Sequence, residues 1–186
     1  MAASPDNLPA CPAAGTADFD VDGFVARRVT EHQQWLGDRL VRLRELAANA
    51  AAVNPSVAEM AELDQKVAFL VNDLRDCVAR EESMVFPALA RLREQTQVSR
   101  CHAGMVKARL RFMVAEQDAL AASLAEAREI AHRHLSPAGP CETCHALVAD
   151  LESLEVELTE HLRKEQDELF AWALAREESL VRQIPD

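Results

Sequence analysis

The sequence predicts an all-α protein folded as an antiparallel, up-down-up-down four-helix bundle. Its composition is typical of helices, because Ala, Leu, Glu and Arg dominate while aromatic residues make up 4% and Tyr is absent. Apolar residues recur at three- and four-residue steps over long stretches, most clearly from Leu151 to Trp172. Short polar or Pro-containing segments separate four such stretches, and short connections favour antiparallel neighbours.

The first two predicted helices are separated by Asn54-Pro55, a pair that ends a helix. The first covers Asp18 to Ala52. The second covers roughly Ser56 to Arg93, with Ser56 as its cap and Pro87 as a kink. The residues predicted to face the core are Val25, Val29, His32, Leu36, Leu40 and Leu43 in the first helix, and Leu63, Val67, Leu70, Leu74, Cys77, Glu81, Met84 and Ala88 in the second.

Two further connections define the third and fourth helices. The polar stretch Gln95 to Arg100 predicts a turn, and Ser136 to Pro140 predicts a loop. The third helix is therefore expected near Cys101 to His134, and the fourth from about Cys141 to Arg182. The third helix is predicted to bury Leu110, Met113, Gln117, Leu120 and Leu124.

The length and the net charge of the chain limit its possible domain organisation and its possible partners. A chain of 186 residues suits one domain with a full core, so we expect a flexible tail over residues 1–17 and the bundle over 18–186. The formal net charge of -11 argues against binding to nucleic acid or to an anionic membrane surface. No apolar run approaches the length of a membrane span.

The amino terminus and the cysteines indicate a compartment. The segment MAASPDNLPACPAAG lacks the charged start and apolar core of a secretion signal, which predicts a cytoplasmic protein. Five cysteines, an odd number, are then expected as core residues, ligands or redox thiols before a disulfide framework.

The predicted core contains a polar layer. His161 and Glu165 lie four residues apart on the leucine-rich seam of the fourth helix, and burying them is costly unless something pairs with them. A metal ion held between helices is a common solution. Counting from each turn places inward-facing polar residues of the other helices at the same depth. The layer predicted in this way consists of His32, Cys77, Glu81, Gln117, His161 and Glu165.

This residue set predicts a metal site. Two carboxylates that can bridge, with imidazoles at the ends, are the ligand type of a dinuclear iron or manganese centre, and Zn accepts the same atoms. The alternative is a metal-free core in which the His–Glu pairs satisfy one another by hydrogen bonds.

The chain resembles the hemerythrin-like (HHE) domain, and most closely the repair-of-iron-centres (RIC) di-iron family. The resemblance covers Phe24 to Trp172, with its pieces in family order and at family spacing. The segments that carry it are EHQQWLGDRLVRLREL, CVAREESMVFPAL, MVAEQDAL, PCETCHAL and EHLRKEQDELF.

The resemblance implies a ligand set with two departures. His32, Glu81, His161 and Glu165 match the family pattern, in which the two Glu bridge two irons, whereas Cys77 and Gln117 stand where the family has His. Thiolate can replace imidazole, but an amide carbonyl is a weak ligand. A di-iron centre, a mixed site, a single iron on the side of His32 and Cys77, and no metal are therefore all open.

A second motif, Cys141-Glu-Thr-Cys144-His145, has the C-x-x-C-H pattern of covalent haem attachment. That chemistry requires export, for which no signal is visible. Two cysteines at the start of a helix also suit a redox pair, or a Zn site completed by His132 or His134. The motif is equally compatible with no special role.

Together these observations predict a non-haem iron protein that acts in NO, O2 or oxidative-stress responses or in repair of iron centres. The resemblance implies that its partners are a small diatomic ligand or iron–sulfur client proteins. The first alternative is a haem-binding bundle or sensor, with haem held by His32, His161 or Cys77 or attached at Cys141 and Cys144. The second is a metal-free bundle that serves as an interaction module.

Overall fold

The computed structural model describes residues 19–134 and 141–184. The predicted tail over residues 1–17 and the predicted loop Ser136 to Pro140 lie outside the described residues. Within the described residues there is no strand, and four long helical stretches form the predicted four-helix bundle, so the fold class is confirmed. The helices are α1 (Val21–Gln34), α2 (Leu40–Val53), α3 (Ala58–Arg80), α4 (Phe86–Glu94), α5 (Met105–His134), α6 (Glu142–Lys164) and α7 (Ala171–Val181).

Three of the four stretches are interrupted by a π-helical turn instead of by a loop. These π-turns are Trp35–Arg39 between α1 and α2, Glu81–Val85 between α3 and α4, and Glu165–Phe170 between α6 and α7. A π-turn contains one residue more than the α-helical turn it replaces, and it is found frequently at functional sites. The first segment differs from the other two, because Gly37 has ψ of -119°, outside the helical region, so that α1 and α2 meet there at a kink.

The π-turns explain which core positions the periodicity assigned wrongly. Before the first π-turn the buried residues are Val21, Phe24, Arg28, His32 and Trp35, whereas the predicted Val25, Val29 and Leu36 are only half-buried. From Val85, the last residue of the second π-turn, the buried residues are Val85, Phe86, Leu89 and Leu92. Met84 is 53% exposed and Ala88 is half-buried. In both stretches the extra residue shifts the buried face of the helix by one position. A prediction that uses a single α-helical period misses this shift.

The helix ends agree with most of the predicted boundaries. The first stretch ends at Val53, where Asn54 donates its backbone N–H to the Ala51 carbonyl and its side-chain amide to the Ala50 carbonyl. The second stretch begins at Ala58, two residues beyond Ser56, so the prediction that Ser56 caps it is wrong. Pro87 lies at the start of α4, directly after a π-turn, where its missing N–H is tolerated.

The third stretch follows a turn that is fixed by a glycine and a carboxylate. A short 3-10 turn, Arg100–His102, precedes Gly104, whose φ of 82° favours glycine. The buried Glu177 accepts hydrogen bonds from the backbone N–H groups of Val106 and Lys107, each at 3.0 Å, and thereby caps α5. The five residues that α5 was predicted to bury are all buried.

The described residues group into two compact units. The first comprises those up to Thr30, Cys77–Asp118, and those from His161 onward; its fully buried side chains include Phe24, Leu89, Leu110 and Phe170. The second comprises Glu31–Asp76 and the described part of Ala119–Glu160, and it buries Leu40, Leu43, Leu63, Leu70, Leu74, Leu124, Leu147 and Leu151. The domain limits drawn from the sequence stay a prediction.

None of the described helices combines the length and the apolar character needed to span a membrane.

Candidate metal centre

Four buried side chains gather at one point. Each of His32, Glu81, His161 and Glu165 offers one ligand atom, and these atoms all lie within 4.8 Å of one another. None of the four residues is more than 4% exposed. Two imidazoles and two carboxylates at this spacing are a suitable donor set for iron, manganese or zinc.

Local helix geometry places these side chains. Glu81 and Glu165 are each the first residue of a π-turn, and His161 lies four residues before Glu165 on α6. His161 Nε2 is 3.5 Å from Glu165 Oε1. His32 lies in the last turn of α1, shortly before the first π-turn. All three π-turns therefore begin at or near a residue of the cluster.

Gln117 is fully buried beside the two carboxylates and bonds to both of them. Its side-chain nitrogen donates to Glu81 Oε1 over 2.9 Å and to Glu165 Oε2 over 2.8 Å. Its carbonyl oxygen accepts from the amide of Gln166 over 3.3 Å. The amide of Gln117 thus presents its donor group to the carboxylates, whereas a metal ligand must present a lone pair.

Cys77 is buried in the same region, but it does not belong to the group of four. Its sulfur lies 3.6 Å from Glu81 Oε1 and donates a hydrogen bond to it. Burial, followed by the negative charges of Glu81 and Glu165, raises the pKa of the Cys77 thiol far above its ordinary value. In the metal-free chain the thiol is therefore protonated at neutral pH and acts as a donor. A metal bound to this sulfur would displace the proton.

Arg28 is a residue of this region that sequence reasoning missed. It is 4% exposed, its Nη1 lies 2.8 Å from His161 Nδ1, and its guanidinium lies 5.0 Å from the ring centre of Phe24. Because arginine can only donate, Nδ1 of His161 accepts this hydrogen bond, and in the neutral ring Nε2, which faces Glu165, then carries the proton. Nε2 can bind a metal only after this proton leaves it. Its spacing could have indicated that it is buried, since Arg28 lies four residues after Phe24 and four before His32.

The C-x-x-C-H motif lies at the start of α6, where Cys141 and Cys144 form a disulfide. Cys144 is buried, Cys141 is half-buried and His145 is exposed. Because the disulfide engages both sulfurs, this arrangement favours the redox alternative over covalent haem attachment. His132 pairs with Glu152, with Nε2 2.9 Å from Oε1, and across residues 19–134 and 141–184 no metal-ligand group forms around the motif.

These observations define a class of protein, a helical bundle with a buried cluster of imidazoles and carboxylates of the kind that holds a metal cation. The family model described as Hemerythrin HHE cation binding domain matches residues 25–173, and the chain belongs to this family. Comparisons with curated proteins and with solved structures give no match.

Proposed function

We propose that this chain binds a single non-haem iron ion through His32, Glu81, His161 and Glu165. We further propose that it acts in a response to NO, O2 or oxidative stress, or in iron-centre repair of the RIC type. Membership of a cation-binding family and the buried donor set support the first part. The second part rests on the resemblance of the sequence to the RIC family.

The hydrogen bonds of Gln117 favour one ion over two. A carboxylate that bridges two ions uses both of its oxygens. Here Gln117 engages Oε1 of Glu81 and Oε2 of Glu165, and Cys77 also donates to Oε1 of Glu81. With one oxygen of each carboxylate held in this way, Glu81 and Glu165 are suited to bind one ion as terminal ligands. The amide of Gln117 is a weak ligand, which fits the same conclusion.

The residues around the cluster determine the surroundings that a bound iron ion would have. Iron bound there would supply a position at which a small diatomic ligand such as NO or O2 binds. The two carboxylates balance the charge of a divalent cation, and the buried surroundings exclude bulk water. In the metal-free chain Arg28 orients the His161 ring and Gln117 orients both carboxylates.

The first experiment measures iron content and the absorption spectrum of protein from iron-supplemented cells. We expect about one iron per chain, lost in Glu165→Ala and kept in Glu168→Ala, which removes an exposed carboxylate from the same π-turn. Adding NO to the iron-loaded protein should then give a new absorption band that Glu165→Ala lacks. Iron that survives in Glu165→Ala would contradict the assignment of the site.

The hydrogen bonds of Gln117 also favour a second candidate, the metal-free interaction module. They stabilise two neighbouring carboxylates without any ion, so the bundle can persist metal-free. Full helicity with no iron, and melting that is unchanged by chelation, would favour this candidate. A haem band near ~400 nm would instead support the haem alternative.

A further inference from the structure

The disulfide at the start of α6 is asymmetric in its exposure. Cys144 is 2% exposed, whereas Cys141 is half-buried and lies just before the helix begins at Glu142. Thiol–disulfide exchange requires access of the attacking thiolate to one sulfur, so an external reagent reaches Cys141 and leaves Cys144 as the departing group.

Two features stabilise Cys144 as a departing thiolate. The side-chain nitrogen of Asn54 lies 3.4 Å from Cys144 Sγ and donates to it. The sulfur also lies in the first turn of α6, a helix of 23 residues, where the helix dipole favours negative charge. A departing thiolate that is stabilised by such contacts leaves faster. The more accessible sulfur, Cys141 Sγ, accepts a hydrogen bond from the backbone N–H of Cys144 over 3.3 Å.

We infer that Cys141 and Cys144 are a dithiol–disulfide redox couple that accepts electrons from a dithiol reductant, separately from any chemistry of the metal centre. A thiolate of the reductant attacks Cys141 Sγ, the Cys141–Cys144 bond breaks, and Cys144 takes the electron pair and then a proton. The second thiol of the reductant attacks the sulfur that the reductant placed on Cys141 and releases Cys141 as a thiol. The reductant is oxidised to its disulfide, and two electrons and two protons reach the chain.

The test uses the full-length chain with Cys11→Ser and Cys101→Ser, which leaves the couple and the buried Cys77. The protein is equilibrated in glutathione buffers of graded ratio or with dithiothreitol, quenched with acid, unfolded and alkylated. Mass spectrometry then counts free thiols and glutathione adducts at each cysteine. We expect the thiols of Cys141 and Cys144 to appear together in the folded chain.

Single substitutions test the assigned roles of the two sulfurs. Cys144→Ser should carry a glutathione adduct on Cys141, whereas Cys141→Ser should carry about tenfold less on Cys144, because Cys144 is buried. Asn54→Leu removes the donor to Cys144 and should slow reduction by dithiothreitol severalfold at unchanged helicity. Circular dichroism of every variant establishes that the comparison is made on folded protein.

Two outcomes would overturn the inference. The first is a disulfide that persists in the folded chain under excess dithiothreitol and is reduced only after unfolding, since such a bond is structural. The second is an equal yield of glutathione adduct in Cys141→Ser and Cys144→Ser, since this would remove the asymmetry between the attacked and the departing sulfur.

Discussion

Arg28 Nη1 lies 2.8 Å from His161 Nδ1 and donates a hydrogen bond to it. Histidines that bind metals ordinarily donate their second ring N–H to a carboxylate or carbonyl, which makes them stronger ligands. Here the polarity is reversed, because a cationic donor faces the ring nitrogen. In the metal-free chain this contact orients His161 but leaves the ring proton on Nε2, and it places a positive charge near the position that a cation would take.

Replacing Arg28 tests which of these two effects dominates. In Arg28→Met the positive charge is absent, so we expect Zn²⁺ to bind roughly three- to tenfold more tightly, because Coulomb repulsion falls. Competition with a chromophoric chelator measures the affinity. Arg27→Met removes the same charge from an exposed neighbour and should change the affinity little. Weaker binding by a folded Arg28→Met protein would show that orientation of His161 matters more.

Cys77 and Cys101 should differ sharply in their reaction with iodoacetamide. The thiolate is the reacting form, and burial together with Glu81 raises the pKa of Cys77, so the reactive fraction at neutral pH is small. Cys101 is exposed. We expect Cys77 in the folded chain to react at least about 100-fold more slowly than Cys101. Peptide mass spectrometry gives both rates, and the two rates should converge in denaturant.

The π-turn Glu81–Val85 should tolerate removal of one residue. Deleting the exposed Met84 leaves Val85 and Leu89 three and seven residues after Glu81, which is α-helical spacing on the same face. We therefore expect a folded helical protein whose metal affinity falls, because the position of Glu81 changes. Deleting the exposed Ala115 from the regular helix α5 turns the following residues by ~100° and should prevent folding. Equal damage from both deletions would contradict this view of the π-turn.

Gln117→Leu should destabilise the metal-free protein. Glu81 and Glu165 then lose the donor that they share, and a buried carboxylate without its partner is costly, so we expect about 3 kcal/mol. Chemical denaturation in the presence of chelator measures the change. Gln166→Leu, which removes only the hydrogen bond to the Gln117 carbonyl, should cost about 1 kcal/mol or less. Added Zn²⁺ should restore more stability to Gln117→Leu than to the unaltered chain.

Periodicity predicted the helices and the buried leucines of the third stretch, which has no π-turn. It also predicted Leu169 and Trp172 in the fourth stretch, because the five residues 169–173 are all buried there despite the π-turn Glu165–Phe170. It failed at Val25, Val29, Leu36, Met84 and Ala88, because the hydrogen-bonding pattern changes inside a continuous helix. No residue type, such as Pro or Gly, marks every π-turn in a sequence. In the sequence, a π-turn is visible only as a shift of the apolar pattern by one residue.

The candidate site could be predicted in part. Matching depths from the turns selected the four residues whose ligand atoms converge, although whether they bind metal stays a prediction. The same reasoning placed Cys77 and Gln117 beside these four residues, and their role as ligands stays a prediction. It identifies which residues are near but not the direction of their hydrogen bonds. Arg28 was missed because an arginine is ordinarily assigned to the surface, and only its packing against Phe24 and His161 places it inside.

The hydrogen bonds of Gln117 to Glu81 and Glu165 have a consequence for the life of the protein in a cell. A chain that folds only around its metal is cleared by proteases when that metal becomes scarce. Here the buried, uncharged side chain of Gln117 donates to both carboxylates and holds them in place without an ion. Under the proposed function, we therefore expect the chain to stay folded without iron and to take up iron when the ion becomes available.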